Sequence, residues 1–166
     1  MIVSTIRAAV ITVSDKGSRS ERVDESGPAV AELLRGAGMT VELTAVVPDE
    51  KDQIEALLVE WSDIRKFDLI VTTGGTGVSP RDVTPDATLA VIDREIPGMG
   101  EAMRRESAAR TPHAVISRAT AGIRGSSLLL NLPGSPRGAR ENLLVVLPAL
   151  KHAVEKIKGD DRDCSA

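Results

Sequence analysis

Thr72-Thr73-Gly74-Gly75-Thr76-Gly77 follows the apolar run Leu69-Ile70-Val71, and these residue types in this order can hold an anion. Glycines let the backbone approach a ligand and turn its N–H groups toward phosphate oxygens, and threonine hydroxyls add donors. A tight strand-to-helix turn accounts for the same glycines. The run matches neither the Walker A pattern nor the dinucleotide fingerprint. Arg81-Asp82-Val83-Thr84-Pro85-Asp86 comes shortly after. Asp82 stands ahead of Thr84, the expected helix cap, so capping does not require it. A carboxylate beside a phosphate-binding loop makes sense with a divalent cation between them; a solvated turn residue is the alternative. Asp86 suits a first helical turn, where an acid meets the helix dipole.

Three further stretches carry candidate groups. Asp49 fits the N-cap of a helix beginning near Glu50, and Asp15 follows the first apolar run directly. In a parallel sheet the segments after the first three strands open on one edge, so Asp15, Asp49 and the glycine loop can converge. Ser117-Arg118 and Arg124 form a small cluster whose guanidinium forks suit phosphate or carboxylate. Leu132-Pro133-Gly134-Ser135-Pro136 is a sharp loop with Ser135 as cap and Pro136 as first-turn residue, opening a helix whose N-terminus can hold an anion.

The elements that must position these groups follow from periodicity. Arg7 to Val13 is a short apolar run, read as a buried strand, and Ser14 to Glu25 is a polar loop. Gly27-Pro28 opens a helix with Val30, Leu33 and Leu34 on one face, stopped by Gly36 and Gly38. Val41 to Val47 predicts a second strand. Ile54, Leu57, Leu58 and Trp61 predict a helix after Pro48-Asp49. Phe67 to Thr73 is a third strand. Thr84-Pro85 predicts a helix through Ile92 capped by Thr84, and Gly98 to Ala109 another. Ala119 to Ile123 and Leu128 to Leu132 flank Arg124-Gly125 as two strands joined by a turn. A long helix follows Ser135-Pro136, with Leu143, Val146, Leu147, Leu150 and Val154 facing inward. Strands alternating with helices predict a three-layer α/β domain with a mostly parallel central sheet, whose ligand sites lie beyond the carboxyl ends of its strands.

Composition narrows the function classes. The chain has 166 residues, which suits one compact domain over 1–166, with Gly159 to Ala166 a polar, frayed tail. Trp61 and Phe67 are the only aromatics, and there is no Tyr. The core therefore comes from aliphatic residues, and nucleic-acid binding through stacked aromatics is excluded. A net charge of −3 gives no positive field to attract nucleic acid or anionic lipid. The single cysteine, Cys164, has no Cys or His partner at zinc spacing and fits a reducing cytosol. The two histidines, His113 and His152, are isolated in sequence. No signal-peptide pattern and no transmembrane-length apolar run are present, so the chain is expected to be cytoplasmic.

Taken in order, these stretches resemble the molybdopterin adenylyltransferase family. Thr72 to Gly77 followed by Pro80-Arg81-Asp82-Val83-Thr84-Pro85-Asp86-Ala87-Thr88 is similar to the family signature, and Val46-Val47-Pro48-Asp49-Glu50 to a second stretch. A third group comprises Ile116-Ser117-Arg118, Ala121 to Ser126 and Asn131 to Pro136. Leu147 to Ala153 resembles the last helix of the G domains of the plant enzyme and of gephyrin. The resemblance runs from Ile6 to Gly159. Ser135 departs from the family, whose members carry Gln or Asn there.

The resemblance implies a reaction. The terminal phosphate of molybdopterin attacks the α-phosphorus of ATP, and pyrophosphate leaves. It implies Mg²⁺, a homotrimer, and a separate protein that inserts molybdate. Asp49 and Asp82 then become the catalytic, metal-linked carboxylates. Gly74, Gly75, Thr76 and Gly77, with Ser14 and Asp15, hold nucleotide or pterin phosphate. Ser117 and Arg118 meet the pterin. Two alternatives remain open: a pterin-binding or scaffold module without catalysis, and a nucleotide-pyrophosphate hydrolase on the same domain.

Overall fold

The computed structural model describes residues 5–161. Its sheet has six strands: β1 (Arg7–Val13), β2 (Thr40–Val47), β3 (Leu69–Thr73), β4 (Arg94–Glu95), β5 (Ala121–Arg124) and β6 (Ser127–Leu132). Their spatial order is β2-β1-β3-β6-β5-β4. The β2–β1, β1–β3 and β3–β6 pairings are parallel; β6–β5 and β5–β4 are antiparallel. This is the mostly parallel sheet that the alternating elements predict.

Both faces of the sheet are covered, which is why its central strands read as unbroken apolar runs. Successive side chains point to opposite faces. Ala8 and Val10 of β1, Leu69 and Val71 of β3, and Leu128 and Leu130 of β6 join one core. There they meet Val30, Leu34, Met103, Leu143 and Leu150 from α2 (Ser26–Gly36), α5 (Pro97–Ala108) and α6 (Pro136–Ile157). Ala9, Ile11, Ile70 and Leu129 join the second core, against Ile54, Leu58, Ala87 and Val91 from α3 (Lys51–Val59) and α4 (Thr84–Val91). Trp61 and Phe67 close this core edge to face, with ring centroids 5.8 Å apart.

Several local readings change. The Ser14 to Glu25 segment contains a one-turn helix, α1 (Asp15–Ser18), because the Ser14 hydroxyl accepts from Gly17 N at 3.0 Å. Helix α3 runs into a π-helical turn, Glu60–Ile64, which carries Trp61 into the core. The third strand begins at Leu69, not Phe67. Thr84 does not cap α4: it is the first helical residue, Val83 holds the cap position, and no side chain caps the turn. Strand β4 and a 3₁₀ turn, Pro112–Ile116, are additions to the expected elements, since neither carries an apolar period. The expected tail is described as far as Asp161; residues 162–166, including Cys164, lie outside the described residues. No described helix is long and apolar enough to cross a membrane.

Candidate functional site

The carboxyl ends of β1, β2, β3 and β6 share one edge of the sheet. The backbone there must turn sharply with other chain close behind it. Gly74 (φ +104°) is packed so tightly that a Cβ would strike the Val13 carbonyl. Gly75 (φ +64°) faces the Thr84 hydroxyl and Asp49 Oδ1. Only glycine suits such positions. The Thr73 hydroxyl donates to Pro133 O at 2.7 Å, tying this loop to the one that opens α6.

Two cavities meet at the glycine loop. The larger, about 550 Å³, is lined by Ser14, Asp24, Asp49, Gly74, Gly75 and Asp82 among others. The smaller, about 260 Å³, is lined by Thr76, Gly77, Arg104, Ser117 and Asn142 among others. Ser135 touches both. The loop is therefore a wall with one cavity against each half. Ser135 caps α6 as expected, its hydroxyl accepting from Gly138 N at 3.0 Å.

The convergence expected of a parallel sheet is present. Asp15 and Asp49 brace each other: Asp15 N donates to Asp49 Oδ2 at 2.9 Å, and Asp49 N to Asp15 Oδ1 at 3.1 Å. Asp49 thus accepts at the first turn of α1 rather than capping α3, where Glu50 holds the cap position without a side-chain capping bond. Arg81 reaches across to Asp15 with two bonds, 3.0 and 2.8 Å, and to Glu50 at 2.8 Å. That pairing holds the Asp15 carboxyl below the usual range. Asp49 is pushed the other way, chiefly by burial, with the charges of Asp15 and Asp82 adding to it.

Asp82 Oδ2 accepts from Ser79 N at 2.9 Å and lies beside Gly77. Asp49 and Asp82 each keep one carboxylate oxygen without a protein donor among the described residues. No three His, Cys, Asp or Glu side chains gather as a metal cage among the described residues. Asp24, a third aspartate on that cavity, has both oxygens taken by Thr12, Ser26 and Gly27. Asp49 and Asp82 are therefore the pair that would suit Mg²⁺, which completes its shell with water and substrate phosphates.

The predicted pterin-side pair divides. Ser117 lines the smaller cavity, and Arg104 holds its carbonyl at 3.3 Å. Arg118 lines neither cavity. It donates to Gly77 O at 2.8 Å, to the Asp82 carbonyl, and to both Asp86 oxygens at 3.0 and 2.9 Å. It therefore clasps the glycine loop to α4. Arg124 is not part of this cluster: it pairs with Asp63 at 2.6 Å and bonds Val91 O at 2.7 Å.

Sequence reasoning missed Asp24 and Asn131. Asp24 lines the larger cavity and accepts from the Thr12 hydroxyl at 2.7 Å and from Gly27 N at 3.0 Å. Its signal was an acid just ahead of Ser26-Gly27-Pro28. Buried Asn131 donates to the hydroxyls of Thr72 at 3.0 Å and Thr88 at 2.9 Å, joining the strand beneath the loop to α4. A lone amide inside Leu128-Leu129-Leu130-Asn131-Leu132 was the readable sign.

The class these features define is an α/β domain with a two-chambered polar site at the carboxyl edge of a parallel sheet. The family described as "Probable molybdopterin binding domain" matches residues 9–152. The molybdopterin adenylyltransferase of Helicobacter pylori (strain J99) is 43% identical over 158 residues, covering 94% of this chain and 90% of that protein. Gephyrin of Dictyostelium discoideum is 41% identical over 155 residues; the match takes in 87% of this chain but only 21% of gephyrin. A crystal structure of the molybdopterin biosynthesis enzyme MoaB from Thermus thermophilus superposes with a TM-score of 0.89 at 49% identity, covering 93% of this chain and 98% of that one. The chain belongs to this molybdopterin-binding family.

Proposed function

We propose that the protein is a molybdopterin adenylyltransferase of molybdenum cofactor biosynthesis. A molybdopterin phosphate oxygen bonds to the α-phosphorus of ATP, the α–β anhydride bond breaks, and pyrophosphate departs. The observation that carries this reading is the glycine loop standing between two cavities, with Asp49 and Asp82 over one and Ser117 in the other. Transfer between two substrates needs both held at a common wall. A family relative named for this activity, matched over most of both chains, supports it.

The larger cavity takes the nucleotide, and the smaller the pterin. Gly74 N donates to Leu132 O at 3.0 Å and so shapes the loop, while the backbone N–H groups of Gly75 to Gly77 would face the phosphates between the cavities, where negative charge gathers in the transition state. Ser14 lines the nucleotide side, and Asp15 acts by bracing Asp49. Asp49 and Asp82 would hold Mg²⁺, whose charge offsets that of the triphosphate. Ser117 meets the pterin, while Arg118 keeps the loop in place for it. We propose further that the chain works as one domain over 1–166, as a cytoplasmic homotrimer that passes its product to a separate molybdate-inserting protein.

Incubation with ATP, Mg²⁺ and molybdopterin, read by mass spectrometry, tests the reaction. Adenylylated molybdopterin with pyrophosphate is the expected result. Pterin retained unmodified would leave a binding module, and AMP released from a cleaved dinucleotide would leave a pyrophosphate hydrolase.

A further inference from the structure

Thr84 is fully buried at the start of α4, and its hydroxyl has no hydrogen-bond partner. Its neighbour on the same helix shows the usual alternative: the Thr88 hydroxyl donates to Thr84 O at 3.0 Å and accepts from Asn131. A buried hydroxyl left unsatisfied costs stability, and valine would fill the same space without that cost. Packing therefore does not explain a threonine at position 84.

Its surroundings do. Thr84 N donates to Gly75 O at 3.1 Å, so the residue is fastened directly beneath the glycine loop. A Cβ on residue 75 would collide with the Thr84 hydroxyl and lie 3.0 Å from Asp49 Oδ1. The orphan donor and the carboxylate oxygen without a protein donor thus border one small volume, left open by the missing side chain of Gly75. Asp49 Oδ2 is already held by Asp15 N, so Oδ1 decides where the carboxylate points.

We propose that Thr84 is a positioning residue for Asp49: when substrate phosphates seat on the glycine loop, the Thr84 hydroxyl donates to Asp49 Oδ1 and fixes that carboxylate toward the reacting phosphates. The inference rests on the adenylyl-transfer reading above. It also accounts for the orphan hydroxyl, since its acceptor comes into line only on binding.

The test compares wild type, Thr84→Val and Thr84→Ser by thermal melting and by steady-state formation of adenylylated molybdopterin. Thr84→Val is expected to melt no lower than wild type, keep KM for both substrates within about twofold, and lose kcat by roughly 10-fold to 10²-fold. Thr84→Ser is expected to recover most of kcat. Full kcat in Thr84→Val overturns the inference alone. So does a Thr84→Ser variant that stays folded with kcat as low as that of Thr84→Val, because shape and not the hydroxyl would then matter. A Thr84→Val variant that fails to fold overturns it too, by giving the hydroxyl a structural role. Wild-type protein that forms no product overturns the adenylyl-transfer reading and this inference with it.

Discussion

Asp49 and Asp82 stand over the same cavity but are held differently, and their variants should separate accordingly. Asp82 accepts one backbone N–H from a surface loop. Asp82→Asn keeps its size and removes its charge, so the fold should persist. A neutral amide is a poor ligand for a hard cation. Adenylylation is expected to fall by about 10²-fold, the scale of removing one electrostatic stabiliser; near-normal rates across a Mg²⁺ titration would overturn the metal-linked role. Asp49 carries a second signature. Burial raises its carboxyl pKa, so the ionised folded form is penalised at neutral pH. That penalty fades as pH falls through the raised value. Asp49→Asn still accepts from Asp15 N and never ionises. It should melt no lower than wild type at pH 7, lose that advantage on acidification, and lose adenylylation at every pH; a lower melting temperature at pH 7 would contradict the burial argument. Ser117→Ala should weaken molybdopterin binding by about tenfold or more, since a hydrogen bond to a charged group contributes roughly 1.5–3 kcal/mol. Calorimetry showing unchanged pterin affinity would remove Ser117 from the site. A parallel sheet could place Asp49 at the shared edge, but only family resemblance favoured a catalytic role for it, because residue type and position fit a helix cap equally well. The bond that ties its carboxylate elsewhere comes from Asp15, at the start of α1.

At the scale of elements, period and punctuation located most of the scaffold. Gly36 and Gly38 mark the end of α2, Gly125 lies between β5 and β6, and Ser135-Pro136 opens α6. These signals are local: a backbone angle, a missing N–H, a nearby hydroxyl. Readings failed where tertiary contacts decide. Thr84-Pro85 has the composition of a capped helix start, but burial beneath Gly75 turns the hydroxyl away from the helix N–H groups. Strand β4 is two exposed residues that exist only because β5 offers an edge. Ser135 gives an element-scale prediction. Its hydroxyl satisfies Gly138 N at the first turn of α6. Ser135→Ala should therefore destabilise the protein by about 1 kcal/mol, within the usual span for a lost cap. Urea unfolding with an unchanged m-value and a lower midpoint is the expected record. An unchanged midpoint would show that α6 is fixed by its buried face alone.

At the scale of the whole molecule, the parallel sheet brings residues far apart in sequence to one edge. Arg81 bonds Asp15 and Glu50, so three successive strand-to-helix loops are joined by one side chain. That convergence could be anticipated from a βαβ pattern, whereas the division of the site into two cavities could not. It depends on which way Gly74 to Gly77 face relative to the α6 loop, and no residue type encodes that. The proposed homotrimer has a direct check: light scattering should return three times the 17.5 kDa chain mass, and a monomer at micromolar concentration would refute that proposal. The two cavities carry the stronger consequence. Since Gly74 and Gly75 line one and Thr76 and Gly77 the other, nucleotide and pterin should occupy the protein together. With Mg²⁺ and an ATP analogue that cannot be cleaved between the α and β phosphates, the first cavity can be saturated without turnover. Molybdopterin titrated into that complex should bind once per chain, with an affinity within about tenfold of its affinity for the free protein. The spread allows for two phosphates facing one wall, whose repulsion the loop N–H groups and Mg²⁺ must offset. Mutual exclusion of the two ligands would mean that they share one cavity, and direct transfer from ATP to a bound pterin would then be impossible in this arrangement.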